Sequence, residues 1–224
     1  VLASTDSLIG VPGGYEPPAG VTYFETFPLV EKTLANRLRN NFGGAHEAVK
    51  AADRLGDFDV VVCTTPPLLL TSSAVKIARK KRAKLVIDVR DVWPDVAYEM
   101  GSFEPGSLYG RFFERIARRA YAASDLVASV SPGKVEKLKE RVPDDRVILV
   151  PNGIDEAFLE NDEDPTLVER LRLDDGPICA YVGNIGLAQG LGTLLEIARV
   201  RPCVRFLLFG DGADRASLEM RAEA

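Results

Sequence analysis

Hydrophobic residues in this 224-residue chain fall in short continuous runs, not in alternation with polar ones. Val60–Cys63, Leu85–Val89, Leu126–Val130, Val147–Val150, Ile178–Val182 and Phe206–Phe209 are such runs, and Val1–Ser4 opens the chain with another. Strands of a parallel sheet covered on both faces read this way. Between the runs, apolar residues recur at helical spacing over 31–54, 72–82, 107–122, 133–141 and 190–199. Strand and helix in alternation predict right-handed βαβ crossovers and an α/β fold with a doubly wound parallel sheet.

The helix at 107–122 is the most amphipathic. Leu108, Phe112, Ile116 and Ala120 recur every four residues, with Tyr109, Phe113, Ala117 and Tyr121 beside them, and Arg111, Arg115, Arg118 and Arg119 elsewhere on the helix. One face in the core and one in water is the plain expectation, and a basic aromatic face resting on an anionic membrane is the alternative. "KIARKKRAK" (76–84) reads as a solvated face or a lipid-headgroup patch. The helix at 133–141 has Ser131 to cap it and Pro132 in its first turn.

The segment 151–176, "PNGIDEAFLENDEDPTLVERLRLDDG", is acidic and turn-rich. It divides the chain into a first domain (1–152), an interdomain segment (153–176) and the start of a second domain (177–224). Val1 stands inside an apolar run and Ala224 inside a charged helical pattern, so a fragment of a longer protein is expected.

Composition is that of an ordinary globular protein, 46% hydrophobic and 27% charged. No apolar run reaches the roughly 18 residues of a membrane-spanning helix. Cys63, Cys179 and Cys203 are widely spaced and are expected as buried thiols in a reducing compartment, which fits a cytoplasmic location. Residues 1–152 carry 21 Lys and Arg against 19 Asp and Glu, whereas residues 153–224 carry 7 against 14. So acidic a second half does not hold nucleic acid by neutralising phosphates. If it binds a phosphate, backbone amides and a helix N-terminus must do so.

Ligands of doubly wound sheets bind beyond the carboxyl ends of the strands. There stand "TTPPLLLTSSA" after Cys63, "DVRDVWPD" after Ile87, "SPGK" after Val130, "PNGID" after Val150, "GNIGLAQG" after Val182 and "GDGAD" after Phe209. Glycine, proline and small polar residues at six strand ends point to a cleft. "YVGNIGLAQGLGTLLEIA" (181–198) passes from strand through glycines into helix. It matches neither GxGxxG nor GxxxxGK[ST], so it is either a phosphate cradle of another kind or a turn that needs glycine for its geometry. "GDG" (210–212) poses the same choice.

The segment after Ile87 is the richest in chemistry. Asp88, Arg90, Asp91, Trp93 and Asp95 crowd one strand end, where the charges need partners. Asp–Arg pairing within the loop supplies them, or a hydroxyl-rich substrate does, with Trp93 as an apolar platform for a sugar ring. His46 is the lone histidine and lies mid-helix, which disfavours a Ser-His-Asp or Cys-His machine. Asp57-Phe58-Asp59 spells a D-x-D but precedes its strand, at the wrong end for a metal at the cleft.

"VIDVRDVWPD", "SVSPGKVEKLKERVPDDRVILVPNGID", "AYVGNIGLAQGLGTLLEIA" and "FLLFGDGADRASLE" together resemble the group-1 (family 4) glycosyltransferases of the GT-B fold. Within them the nearest branch is the bacterial capsule and O-antigen type, similar to N-acetyl-L-fucosamine transferases. The resemblance runs from about residue 58 to 224. It implies two Rossmann-like domains: an acceptor-binding one whose first strand is missing here, and a nucleotide-sugar-binding one that is truncated. It further implies retaining transfer from a nucleotide-sugar, expected to be a UDP-N-acetyl sugar, to a lipid-linked saccharide in cell-surface polysaccharide synthesis. Neither metal nor cofactor takes part, because the nucleotide-sugar is a substrate. The location would be cytoplasmic, at the inner face of the membrane as a peripheral protein.

On this reading Arg90, Asp91 and Trp93 serve the acceptor, with Asp91 the candidate general base. Gly183, Asn184, Gly186 and Gln189 serve the donor diphosphate, and Gly210 and Gly212 line the nucleotide. Many relatives place Arg and Lys where this chain has Asn184 and Gln189, which donate hydrogen bonds without charge. The paired-glutamate motif expected to contact donor sugar and ribose is absent from these 224 residues, so the chain alone is expected to be inactive. Two alternatives remain: a nucleotide-sugar 2-epimerase of the same fold, disfavoured by the single helix-borne histidine, and a non-catalytic module docking through helix 107–122.

Overall fold

The computed structural model describes residues 2–4, 19–24, 26, 34–156, 159–160, 166 and 176–223. The chain divides into two compact units, Val1–Gly153 and Ile154–Ala224. Most of the 153–176 segment, and positions 31–33 of the first expected helix, lie outside the described residues.

In the first unit, β1 (Leu2–Ser4) pairs in parallel with β2 (Thr22–Phe24). The long α1 (Leu34–Arg54) follows, then β3 (Val60–Thr65), α2 (Leu70–Lys81), β4 (Lys84–Val89), α3 (Asp95–Glu99), α4 (Leu108–Ala123), β5 (Leu126–Ser129), α5 (Pro132–Lys139) and β6 (Val147–Leu149). Strands β3, β4, β5 and β6 form one parallel sheet in that order. Sequential order with parallel pairing puts all four carboxyl ends on one rim. That is the geometric basis of the site.

The core explains the apolar runs. Ile87, Val89 and Val127 of the two central strands are fully buried, and Leu138 of α5 is too. Each contributes roughly 1.5–3 kcal/mol by leaving water. Helix α2 ends where Arg82 turns left-handed at φ 55°. At the sheet edge opposite the rim, Asp125 accepts from the Leu85 amide and the Lys84 ammonium, both at 2.8 Å, locking β4 to the start of β5.

Helix α4 departs from the sequence expectation. Ser107 caps it through the Gly110 amide at 3.1 Å. Phe113, Ala117, Ala120 and Tyr121 are buried as expected, but Leu108 is 85% exposed and Tyr109 and Phe112 are exposed too. The core takes Phe113, Ala117 and Tyr121 from one apolar row but only the far end of the other, Ile116 and Ala120, because the sheet and α2 cover a single side and leave the start of the helix open. Phe42 of α1, also exposed, meets Phe112 with ring centroids 6.3 Å apart.

In the second unit, β7 (Ile178–Val182) pairs in parallel with β8 (Arg205–Phe209). Between them runs α6 (Gly192–Val200), and α7 (Arg215–Glu223) follows β8. Ile185, Leu191 and Leu218 form the core, with Tyr181, Leu194, Leu195 and Leu208 packed against it. Here the cysteine expectation needs correction: Cys63 is half-buried, but Cys179 and Cys203 are exposed. Most of β7 is exposed, since α6 and α7 cover little of this two-stranded sheet.

Candidate active site

In the first unit the rim gathers the ends of β3, β4, β5 and β6. Arg90 follows β4, and its amide donates to the Thr65 carbonyl at 2.9 Å, continuing the ladder one step beyond the strand. Its guanidinium donates from Nε to Asp88 Oδ2 at 2.8 Å, and Thr64 Oγ1 donates to the same oxygen at 3.2 Å. The Asp–Arg pairing weighed from the sequence is therefore present. Nη1 of Arg90 donates to the Asn152 side-chain oxygen in the "PNGID" turn.

Lys134 completes the constellation. It donates to the Arg90 carbonyl, and to Asp91 Oδ1 at 3.2 Å. This lysine sits in the first turn of α5, where the helix dipole disfavours a cation; the Asp91 carboxylate and Arg90 carbonyl offset that cost. Ser131 takes the cap position of α5 with Pro132 behind it, as expected, but makes no side-chain cap bond. Half-exposed Asp91 has Oδ1 engaged and offers Oδ2 to a hydroxyl donor.

Trp93 is placed differently from a free platform. Its ring lies 5.5 Å from that of Phe113 in edge contact and 6.4 Å from Phe103. Such pairs contribute about 0.5–1.5 kcal/mol each, so the indole is anchored to the core and presents only part of its surface. The Thr65 hydroxyl is buried at the neighbouring end of β3 without a hydrogen-bond partner among the described residues.

His46 is exposed on α1, and Asp57 and Asp59 precede β3, away from the rim. Burial pushes the Cys63 thiol up to about 12, with Asp88 adding to the effect, so it stays protonated and unreactive.

In the second unit two strand-end loops zip together. The Gly183 amide donates to Phe209 O at 2.9 Å, Ile185 to Asp211 O at 2.8 Å and Asp214 to Ile185 O at 3.0 Å. A Cβ on Gly210 would overlap the Gly183 carbonyl, and one on Gly212 the Ile185 carbonyl. Backbone-on-backbone packing is thus a sufficient reason for both glycines. The ladder uses residues 183 and 185, and the amides of Asn184 and Gly186 take no part in it. The Asn184 and Gln189 side chains converge over Gly186: a Cβ there would lie 2.7 Å from Asn184 Nδ2 and 2.6 Å from Gln189 Oε1. A 3-10 turn, Leu187–Gln189, and left-handed Gly190 (φ 59°) then lead into α6.

Lys134 and Asn152 were not singled out from the sequence. A lysine in the first turn of a helix was the readable signal for the first; nothing local marked the second.

Residues 8–153 match the glycosyl transferase 4-like domain. The chain is 25% identical over 194 residues to a probable glycosyltransferase, WbjE, of Pseudomonas aeruginosa, covering 84% of this chain and 48% of that protein. It is 27% identical over 175 residues to a putative colanic acid biosynthesis glycosyl transferase, WcaI, of Escherichia coli K12, covering 74% and 43%. The chain therefore spans about half the length of the curated relatives it matches. The crystal structure of Anabaena HepE in complex with UDP and glucose superposes with a TM-score of 0.64 at 15% identity, over 91% of this chain and 51% of that one.

Proposed function

Because this chain belongs to the glycosyl transferase 4-like domain family and has an α/β fold of the GT-B type, we propose that it serves the transfer of a sugar from a nucleotide-sugar to a saccharide acceptor. The proposed reaction is retaining and metal-independent, with a UDP-N-acetyl sugar as donor and a lipid-linked saccharide as acceptor. The observation that carries the reading is the loop 183–190. Its backbone ladder consumes the amides of Gly183 and Ile185, while Asn184, Gly186 and Gln189 are held together outside it. A diphosphate seated there would meet neutral donors where its charge grows as the sugar leaves. Fixed dipoles aimed at developing charge are the largest usual term in such catalysis. Gly210 and Gly212, pinned against this loop, would border the nucleotide.

On the acceptor side, Asp91 would accept the hydrogen bond of the attacking hydroxyl, with Lys134 holding it in place, Arg90 beside it for the acceptor and Trp93 bordering the sugar. HepE, bound to UDP and glucose, supports the donor class by analogy. A pathway of cell-surface polysaccharide fits the name of the Escherichia coli relative, a putative colanic acid biosynthesis glycosyl transferase.

The test measures UDP binding by calorimetry to the chain and to Asn184→Ala and Gln189→Ala variants. It also measures transfer from UDP-N-acetyl sugars to a bacterial lipid extract by the complete gene product. Loss of roughly 1 kcal/mol or more of binding per variant is expected. No UDP binding by the complete protein, or unchanged binding in both variants, refutes the donor assignment.

The exposed Leu108, Phe112 and Phe42, flanked by exposed Arg111, Arg115 and Arg119, supports peripheral contact with an anionic membrane at its cytoplasmic face. No helix among the described residues is long and apolar enough to cross a membrane. Flotation with anionic liposomes should weaken when Arg111, Arg115 and Arg119 are replaced by Gln. Equal flotation would remove this part of the reading.

A further inference from the structure

Helix α4 has a third face, at the edge of the core and on the side away from the aromatic patch. Glu114, Ala117, Arg118 and Tyr121 lie one turn apart along it. With Arg141, just beyond α5, they line a groove of about 290 Å3. One water accounts for ~30 Å3, so the space admits a multi-atom ligand.

Two polar groups in this groove are left over by the fold. The Tyr121 side chain is almost fully buried and its hydroxyl has no hydrogen-bond partner among the described residues. A buried hydroxyl without a partner is costly and calls for an explanation. Arg118 is exposed and has no ion-pair partner among the described residues. Its natural partner would be Glu114, four residues earlier on the same helix. Glu114 instead accepts from Tyr98 at 2.8 Å, which draws its carboxylate toward α3. Arg141 gives Nη2 to Asp95 at 2.6 Å and keeps further N–H groups to donate.

We propose that this groove is a binding site for a small oxyanion of the phosphate class, held by the Arg118 and Arg141 guanidiniums and by the Tyr121 hydroxyl. Guanidiniums suit phosphate because their forked donors match its oxygens. The tyrosine adds a neutral donor from the core side, and it stays a donor because burial raises its pKa to about 12. The site lies away from the strand-end rim and is independent of the donor chemistry proposed above. The anion can be free phosphate or the phosphate of a lipid headgroup, and either source would tie α4 to the end of α5.

The experiment titrates the chain with inorganic phosphate by calorimetry and by thermal unfolding, with chloride at matched ionic strength as control. Parallel samples receive phosphatidylglycerol vesicles. Tyr121→Phe removes only the unpartnered oxygen, and Arg118→Gln alters an exposed side chain; far-UV circular dichroism confirms that both fold. Saturable phosphate binding, a rise in Tm with phosphate, and about tenfold or more weaker binding in each variant are expected. Tyr121→Phe should match or exceed the wild-type Tm in phosphate-free buffer while losing the phosphate-induced rise. Vesicle binding that depends on both residues, without response to free phosphate, would support the site and assign it to a headgroup. Wild-type-like binding in both variants, or no response to either probe that depends on Arg118 and Tyr121, overturns the proposal.

Discussion

Replacing Lys134 by Met separates positioning from stability. The lysine opposes the dipole of α5, which costs about 0.3–1 kcal/mol. Its pair with Asp91 at 3.2 Å joins two half-exposed side chains, and such pairs contribute about 0–1 kcal/mol. The bond to the Arg90 carbonyl adds about 1 kcal/mol. The terms partly cancel, leaving a net loss of about 0–1.7 kcal/mol, or a Tm loss of no more than about 3–7 °C for a unit of this size. Activity should respond much more strongly. Lys134 holds both the Arg90 backbone and the Asp91 carboxylate, and an ångström of drift at a reacting centre can cost about a hundredfold. The assay is initial-rate sugar transfer by the complete gene product, with acceptor varied, beside a thermal melt. A drop in kcat/KM of roughly 10–100-fold with little change in Tm is expected, with partial recovery in Lys134→Arg. Unchanged kcat/KM would refute the positioning role. A Tm loss well beyond the few degrees worked out above would show instead that the lysine is a structural strut.

Gly210→Ala should destabilise the second unit by about 2 kcal/mol or more, because its Cβ meets the Gly183 carbonyl and its φ is 152°. Hydrogen exchange at the Gly183 and Ile185 amides should accelerate, and unchanged protection would contradict the loop packing. Under native conditions at pH 8, a thiol-reactive dye should label Cys179 and Cys203 fast and half-buried Cys63 much more slowly; three equal rates would contradict the shielding of Cys63. Lys84 and the Leu85 amide hold the Asp125 carboxyl below the usual carboxylate range. Its contribution to stability is thus present above the unfolded carboxylate pKa of about 3.9 and lost as pH falls through the lower folded value. The urea midpoint of Asp125→Asn should lie below wild type at pH 7 and converge with it at low pH; a constant gap would exclude this linkage.

The sheet was readable because each parallel strand is one uninterrupted apolar run. Ile178–Val182 has the bounds expected of it, whereas β3 continues to Thr65 because two threonines extend its ladder opposite Asp88 and Val89. Strand β2 carries only three residues without an apolar run, and α3 is a single turn and a half after Pro94, so neither left a periodic trace. Burial on α4 was half legible: periodicity gives two apolar rows but cannot say which one the sheet covers. At the site, residue types at strand ends located Arg90 and Asp91. Their partners Lys134 and Asn152 come from 44 and 62 residues away in sequence, and only folding brings them to the rim.

The zipped loops of the second unit divide labour between neighbouring positions. Gly210 and Gly212 are fixed by how closely one main chain passes another, so a change at either is felt by the scaffold. Asn184 and Gln189 project from that scaffold and carry none of its weight. Selection can therefore rewrite the side chains at these two positions, exchanging neutral for charged or long for short, while the turn beneath keeps its shape.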